Sequence, residues 1–228
     1  MTNHRRRSVL VSQLASPDPA APQSVVDELR RVILDGGVPP GSPIPVNEVA
    51  QLLGVSHIPV REALKTLLGE GLVDHRPNGG YTVAELTSAE LIEMYLIRGV
   101  LERTALRAAA GRVSAEDRAS ARSAHLALDT AIADGDLKAY HRESRRFHMA
   151  LVAPCRMHRL LNMFEASWNL TEPWQPMTRI GADARARLHL DHREMLEAFV
   201  AGDQAGLLAV AAGHHARLQA AVAELPLV

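Results

Sequence analysis

The stretch between residues 45 and 84 constrains the fold more than any other part of the sequence. It begins with a short helical pattern whose apolar residues are Val49, Ala50, Leu52 and Leu53. Gly54 suits the left-handed residue that ends such a helix and turns the chain. Ser56 is a natural N-cap for a second helix, since its hydroxyl can accept a backbone N–H, and Pro59 fits the first turn. The pattern therefore predicts two helices joined by a tight turn.

A β-hairpin pattern follows the second helix. Asn78-Gly79 lies between two strand-like segments, Leu72–Arg76 and Tyr81–Ala84, and predicts a type I′ turn. Helix, turn, helix and hairpin in this order are typical of a winged helix-turn-helix, which places its second helix in the major groove of DNA. The net charge of −1 gives no support from bulk electrostatics, so this prediction depends on the motif.

The run GVSHIPVREALKTLLGEGLV followed by RPNGGYTV resembles the DNA-binding domain of the GntR family of bacterial repressors. The resemblance covers about residues 22–86, and it implies that the second helix and the wing contact the bases and phosphates of double-stranded DNA. The candidate DNA-contacting residues are Asn47, Ser56, His57, Ile58, Arg61, Lys65, Asn78, Gly79 and Gly80.

Two of these positions depart from the family pattern. The family usually has Arg-Thr at positions 57–58, where this chain has His-Ile, and a basic residue is common where Asn78 stands. A neutral histidine donates one hydrogen bond at most, so it cannot bind guanine as a bidentate arginine does. We therefore expect Arg61 to carry more of the base recognition. The alternatives are an ion pair of Arg61 with Glu62 or Asp74, and a capping or surface role for the histidine.

The 228 residues are enough for two modest domains. We predict a flexible tail over residues 1–21, the winged helix-turn-helix over 22–86 and an all-helical domain over 87–225. The single cysteine, Cys155, excludes an intramolecular disulfide framework and suits a reducing cytoplasm. We find no secretory signal pattern and no run approaching the roughly 20 apolar residues of a membrane span, so we expect a soluble, cytoplasmic protein.

Long amphipathic patterns dominate the sequence from Thr87 onward. They predict six helices, at about 88–110, 114–134, 136–153, 156–170, 182–201 and 203–223. Because no strand-like stretch lies among them, the natural architecture of this domain is an all-α bundle, and the whole chain is predicted to be mainly α.

Three histidines, His148, His192 and His214, share apolar faces on three different predicted helices. One such histidine is more often a hydrogen-bonded core residue, but three neutral imidazoles that converge in a bundle form a first-row metal site with an open position. The other five histidines of this domain are interpreted as surface or helix-end residues: His125, His141, His158, His189 and His215.

Arg98 also lies within an apolar stripe, on the first helix of the bundle. A buried arginine needs an anionic partner, because an unpaired charge in the interior is very costly. Two partners are open at this point. One is an internal carboxylate such as Glu102, and the other is the carboxylate of a ligand.

The spacing of the three histidines resembles the FCD effector domain of the FadR subfamily of GntR regulators. The residues that carry this resemblance are Phe147, His148, His192, Ala198, Gly202, Asp203 and His214. It covers roughly residues 88–222, and six helices are closer to the VanR-type branch. The resemblance implies a divalent metal held by the three histidines, with zinc expected first and nickel or manganese as alternatives. It also implies a small carboxylate effector bound beside or onto that metal.

The family's fourth ligand, usually Asp or Asn four residues before the first histidine, falls on Ser144. A serine hydroxyl is a poor metal ligand at neutral pH. The site therefore has either three histidines plus water or effector, or a weakened affinity for metal. We place the effector-binding residues at Arg98 and Ser144.

These features together indicate a metabolite-responsive transcriptional regulator, most simply a repressor, that binds a palindromic operator as a homodimer. Two alternatives are a regulator that senses the metal directly and a metal-dependent hydrolase. The hydrolase is disfavoured, because no His-Glu-x-x-His motif positions a general base and the winged helix would have no role. We therefore expect no enzymatic activity.

Overall fold

The computed structural model describes residues 8–14, 25–77 and 79–225, which divide into two units. The first unit lies within residues 1–86 and includes the turn Glu172–Trp174, while the second comprises the rest of the chain from Thr87. The prediction of a mainly α protein is confirmed. Among the residues described, no helix is long and apolar enough to cross a membrane.

The described part of the first unit combines short helices with a three-stranded antiparallel sheet. Its elements are α1 (Val9–Gln13), α2 (Val25–Leu34), β1 (Pro43–Ile44), α3 (Val46–Leu53), α4 (His57–Gly69), β2 (Val73–Arg76) and β3 (Gly80–Val83). Leu29 of α2, Val49 of α3, Leu64 of α4 and Val83 of β3 are fully buried in one core. Gly54 adopts φ 65° and ends α3, which confirms the predicted left-handed cap.

The predicted flexible tail is wrong for part of its length. Val9–Gln13 forms α1, and Leu10 and Leu14 are buried in the core of the first unit. The apolar side chains of this short segment gain enough from burial to order it, although a run of five residues has little helical stability of its own. The rest of residues 1–21 lies outside the described part of the chain.

The hairpin also differs from its prediction. It has a third strand, because β1 pairs with β3 through Pro43↔Thr82 and Ile44↔Tyr81, and the strand order is β1-β3-β2. Arg76 pairs with Gly80, which leaves three residues between β2 and β3 rather than the two of a type I′ turn. Gly80 takes the positive φ of 79° that such a longer loop needs. Asn78 lies outside the described residues.

The described part of the second unit is helical throughout, as predicted, with no strand among its residues. Its helices are α5 (Ser88–Ala109), α6 (Ala115–Ala133), α7 (Leu137–Val152), α8 (His158–Asn169), α9 (Pro176–Arg179), α10 (Ala182–Ala201) and α11 (Gln204–Ala223). The single-turn helix α9 is the one addition to the six predicted. A capping box fixes the start of α5, where Thr87 and Glu90 bind each other's backbone N–H groups at 2.8 and 3.2 Å.

Candidate nucleic-acid interface and metal centre

Helix α4 presents an exposed polar face opposite a buried apolar one. Val60, Ala63, Leu64 and Leu67 are buried, because they recur at helical spacing against the core of the first unit. The exposed side chains of the helix include three of the predicted DNA contacts near its N-terminus, His57, Ile58 and Arg61, and a fourth one turn further on, Lys65. Ile58, Arg61 and Lys65 line one groove together with the wing residues Gly79 and Gly80.

Arg61 makes no ion pair or hydrogen bond with any described residue. The two carboxylates that could have paired with it are engaged elsewhere. Glu62 binds Lys65 at 2.8 Å, and Asp74 accepts the backbone N–H of Glu85 at 3.3 Å. The guanidinium of Arg61 is therefore available for a ligand, and its planar fork matches the two acceptors of a guanine edge. The Glu62–Lys65 pair is exposed and weak, so Lys65 can exchange it for a phosphate.

The predicted N-cap position of Ser56 is confirmed, but its predicted capping hydrogen bond is wrong. Ser56 occupies the N-cap position of α4, but its side chain makes no capping hydrogen bond. The residue three positions later explains this difference, since Pro59 stands where the usual N3 donor lies and has no N–H. The hydroxyl of Ser56 and the first N–H groups of α4 are left to bind an anion, which a DNA phosphate can supply. Asn47, another predicted DNA contact, is exposed near the start of α3.

The second unit brings the three predicted metal ligands together. His148 of α7, His192 of α10 and His214 of α11 are each at most 2% exposed. The Nε2 atoms of His148 and His192 are 3.2 Å apart, and the ring of His214 lies 4.8 Å from that of His192 between centroids. One nitrogen from each ring falls within 4.8 Å of the others, which is the spacing of ligands around a single ion.

The Nδ1 atom of each ring faces an oxygen, and for His148 and His192 the two atoms are within hydrogen-bonding distance. Glu102 Oε1 lies 2.6 Å from Nδ1 of His148, and the Tyr140 hydroxyl lies 3.4 Å from Nδ1 of His192. Asp191 Oδ2 lies 3.4 Å from Nδ1 of His214, a contact longer than an ordinary hydrogen bond. Since all three Nδ1 atoms face these oxygens, all three Nε2 atoms are left for a common ligand. Contacts of this kind orient metal-binding histidines and increase their basicity.

Burial favours the neutral form of His192 and His214. It lowers the pKa of His192 well below its ordinary value, and the charges of the neighbouring His214 and His148 lower it further. Burial also lowers the pKa of His214 to about 4, against the opposing effect of Asp191. Burial alone would raise the pKa of Glu102, but the charges of His148 and His215 outweigh it and hold that pKa well below its usual range. Buried imidazoles that face carboxylate groups in this way fit a first-row divalent ion.

The supporting residues Glu102, Tyr140 and Asp191 were not predicted for this role. Glu102 was one of two candidate partners for Arg98, the other being a ligand carboxylate, but its two oxygens instead bind His148 and His215. Nothing in the sequence indicates this pairing directly, because the partners lie on different helices. An ionisable residue within an apolar helix face is the one sign that could have drawn attention to Glu102.

Arg98 is buried, as predicted, and donates to the backbone oxygen of Ser167 at 2.7 Å and to the hydroxyl of Thr171. Its guanidinium stacks 4.0 Å from the centroid of the Trp168 ring and 4.6 Å from that of Tyr95. The Trp168 ring in turn lies 5.6 Å from the ring of His148. Trp168 is therefore a common neighbour of Arg98 and His148.

The interpretation of the remaining histidines is largely wrong. His125, His141 and His189 are buried, while His215 is partly buried against Glu102. His125 and His189 both bind Asp129, at 3.2 and 3.0 Å. Of this group only His158 is exposed, so the bundle interior accommodates more paired imidazoles than the apolar pattern indicated.

Ser144 lies one helical turn before His148 on α7 and is 3% exposed. We expect Ser144→Asp to raise the affinity for Zn²⁺ by about 10-fold or more, because it adds a carboxylate ligand to three imidazoles. The same change should lower the melting temperature of the metal-free protein, because the new carboxylate is buried and uncompensated. Chelator competition and melting curves with and without Zn²⁺ measure both effects, with Ser144→Ala as the control. An unchanged zinc affinity would place residue 144 outside the coordination sphere.

A winged helix-turn-helix followed by a helical domain with a buried histidine centre is the architecture of a bacterial ligand-responsive transcriptional regulator. The chain belongs to the GntR family: the family models described as "Bacterial regulatory proteins, gntR family" and "FCD domain" match residues 22–83 and 93–218. It is a DNA-binding transcriptional regulator. Its relatives are regulators rather than enzymes, which decides against the hydrolase alternative.

Individual relatives agree with this assignment. The "Probable D-xylose utilization operon transcriptional repressor" of Paenarthrobacter nicotinovorans is 32% identical over 176 residues, which are 75% of each chain. The solved structure of McbR/YncC from Escherichia coli is similar with a TM-score of 0.75 at 26% identity, over 87% of this chain and 94% of its own. A GntR regulator from a Rhodococcus species shares the fold, with a TM-score of 0.75 at 24% identity over 87% and 95% of the two chains.

Proposed function

We propose that the protein is a repressor that acts in the cytoplasm and binds a palindromic operator, and that a small carboxylate effector controls its operator affinity. The effector binds at a divalent ion held by His148, His192 and His214. The observation that carries this proposal is the convergence of three buried imidazoles within 4.8 Å of one another in the domain that follows the winged helix-turn-helix. The name of the Paenarthrobacter relative and that of the repressor GlaR from Escherichia coli support repression.

The ion is zinc in this proposal, since three histidines with an open fourth position suit Zn²⁺, while nickel and manganese are alternatives. When bound, it supplies a Lewis acid that accepts a carboxylate oxygen in the position left open by Ser144. Arg98 contacts Trp168, whose ring lies 5.6 Å from that of His148, and it is the positive charge that we propose for the effector on α5. A carboxylate effector that reached both the ion and Arg98 would be held by two positive charges.

The test of this proposal is a mobility-shift titration with the DNA upstream of the protein's own gene. The protein is stripped with a chelator, reloaded with Zn²⁺ and then titrated with a panel of small mono- and dicarboxylates. We expect one class of carboxylate to weaken operator binding by about 5- to 150-fold, the usual range of allosteric coupling, in the zinc-loaded protein alone. If Zn²⁺ by itself switches operator binding, the ion is the signal and the carboxylate proposal is wrong.

The homodimer is proposed to form through α5. Ile92, Leu96 and Val100 recur at four-residue spacing on this helix and are 37, 57 and 46% exposed, so they make an apolar stripe. Glu93 and Arg103 flank the stripe, and each lies five residues from position 98. If two copies of α5 pack antiparallel and cross at position 98, Leu96 of one copy faces Val100 of the other. Glu93 then faces Arg103 in the same way. A self-complementary surface of this kind is what a two-fold dimer requires.

We expect Leu96→Glu to convert the dimer to a monomer, because it places a charge at the centre of the apolar stripe. Light scattering on the purified protein measures the mass. Leu126→Glu is the matched control, since Leu126 is 66% exposed on α6. Glu93→Arg should also weaken the dimer, and the double variant with Arg103→Glu should restore it. A Leu96→Glu protein that stays dimeric would show that another surface forms the interface.

A further inference from the structure

Ile58 is the most exposed large apolar side chain among the described residues, at 73% of its surface. It is the second residue of α4, so it projects from the end of the helix that is proposed to enter the major groove. Its exposure to water is unfavourable, and it does not belong to the core formed by the described residues of the first unit. Its position makes it a contact for whatever α4 binds.

Ile58 shares its surroundings with the proposed base-reading residue. Arg61 follows it by three residues, so the two side chains lie on the same face of α4. Both line the groove that also contains the wing residues Gly79 and Gly80. The core-facing residues Val60 and Leu64 lie on the opposite side of the helix and are fully buried. If Arg61 contacts the edge of one base, Ile58 is placed to contact a neighbouring base.

The chemistry of the major groove limits what Ile58 can contact favourably. The N-terminal residues of a recognition helix lie against base edges, which present hydrogen-bond donors and acceptors for guanine, cytosine and adenine. An isoleucine side chain satisfies none of these groups and would leave them without water. Thymine alone among the four bases adds an apolar group, its C5 methyl, to the groove.

We propose that Ile58 packs against the C5 methyl group of a thymine in each operator half-site and thereby sets a preference for thymine at that position. This inference rests on the proposed entry of α4 into the operator. It goes beyond it by naming the base and the atom that are recognised. The neighbouring Arg61 would then contact a guanine one or two base pairs away, so the pair reads a short thymine-and-guanine element.

The test removes the methyl group from the DNA and leaves its hydrogen bonds unchanged. Each symmetric pair of operator thymines is replaced by deoxyuridine, and the affinity is measured by fluorescence anisotropy. We expect one pair to weaken binding by about fourfold for each methyl removed, the value of one buried methyl group, while the other pairs have little effect. Replacing that T·A pair by C·G should also weaken binding, and 5-methylcytosine at the same position should recover part of the loss.

The second part of the test uses a protein variant that lacks the side chain proposed to contact the thymine methyl group. Ile58→Ala should bind thymine and deoxyuridine operators equally, and because Ile58 is exposed the variant should melt like the parent protein. His57→Ala is the matched control and should keep the full sensitivity to deoxyuridine. The inference is overturned if no thymine position shows a methyl effect that disappears in Ile58→Ala. A protein that binds no specific operator at all would overturn the proposed entry of α4 as well.

Discussion

Arg61→Ala should lose most of its discrimination between the operator and unrelated DNA. Arg61 is exposed on α4, it has no ionic partner among the described residues, and position 57 lacks the arginine that is usual in the family. Removal of one bidentate arginine–guanine interaction costs about 1–3 kcal/mol, or roughly 5- to 150-fold in affinity for each half-site. Competition binding with operator and scrambled DNA at fixed salt measures this effect.

Lys65→Ala is the control that separates base recognition from phosphate binding. Lys65 lies on the same face of α4 but carries a point charge, so its removal should weaken binding to all sequences about equally. It should also reduce the slope of affinity against salt concentration by about 1 for each phosphate that is no longer neutralised. If Arg61→Ala and Lys65→Ala weaken binding to all sequences in the same uniform way, Arg61 binds phosphate and the operator is recognised by other residues.

His192→Ala should abolish high-affinity metal binding. The His192 ring lies next to both other rings, with centroids 5.1 Å from His148 and 4.8 Å from His214, so its removal leaves two ligands. Removal of a single supporting hydrogen bond lowers the metal affinity of such sites by 10- to 100-fold, so removal of a ligand should lower it by more than about 100-fold. Elemental analysis after dialysis and chelator competition measure this change.

Two further measurements make the His192→Ala result specific. The response of operator binding to carboxylate should disappear, while operator binding in the metal-free state should stay close to that of the parent protein. His158→Ala is the matched control, because His158 is an exposed histidine at the start of α8. A His192→Ala protein with full metal content would contradict the three-histidine site directly.

The sequence predicted correctly those secondary-structure features that depend on residues close together in the chain. Gly54 ends α3 because it alone tolerates the positive φ of 65°, and the pair Thr87 and Glu90 caps α5 within four residues. Strand β1 could not be predicted in this way. Pro43 and Ile44 become a strand only because β3, almost forty residues later, offers them partners. The burial of α1 likewise depends on a core assembled from later helices.

In the candidate metal site too, some features could be predicted from local sequence and others could not. Three histidines on apolar faces were sufficient to predict that His148, His192 and His214 come together in the bundle. The side chains that contact these histidines could not be predicted from the sequence, because they are distant along the chain. Glu102, for example, is 46 residues from His148 and 113 from His215. Helical periodicity gives the face on which a residue lies, but it does not give which helices face each other. The burial of His125 and His189 was missed for the same reason.

Helix α5 carries a residue of the candidate metal site and the proposed dimer surface, and it begins next to the segment that leads from the DNA-binding unit. At 22 residues it is about 33 Å long, and Glu102 on one side of it holds His148 while Leu96 faces outward on the other. Its first turn follows directly on the segment that leads out of the winged helix-turn-helix. We therefore expect a displacement of His148 to move α5 through its contact with Glu102. In the proposed dimer, that movement would act both on the partner copy at Leu96 and on the chain that leads to the DNA-binding unit.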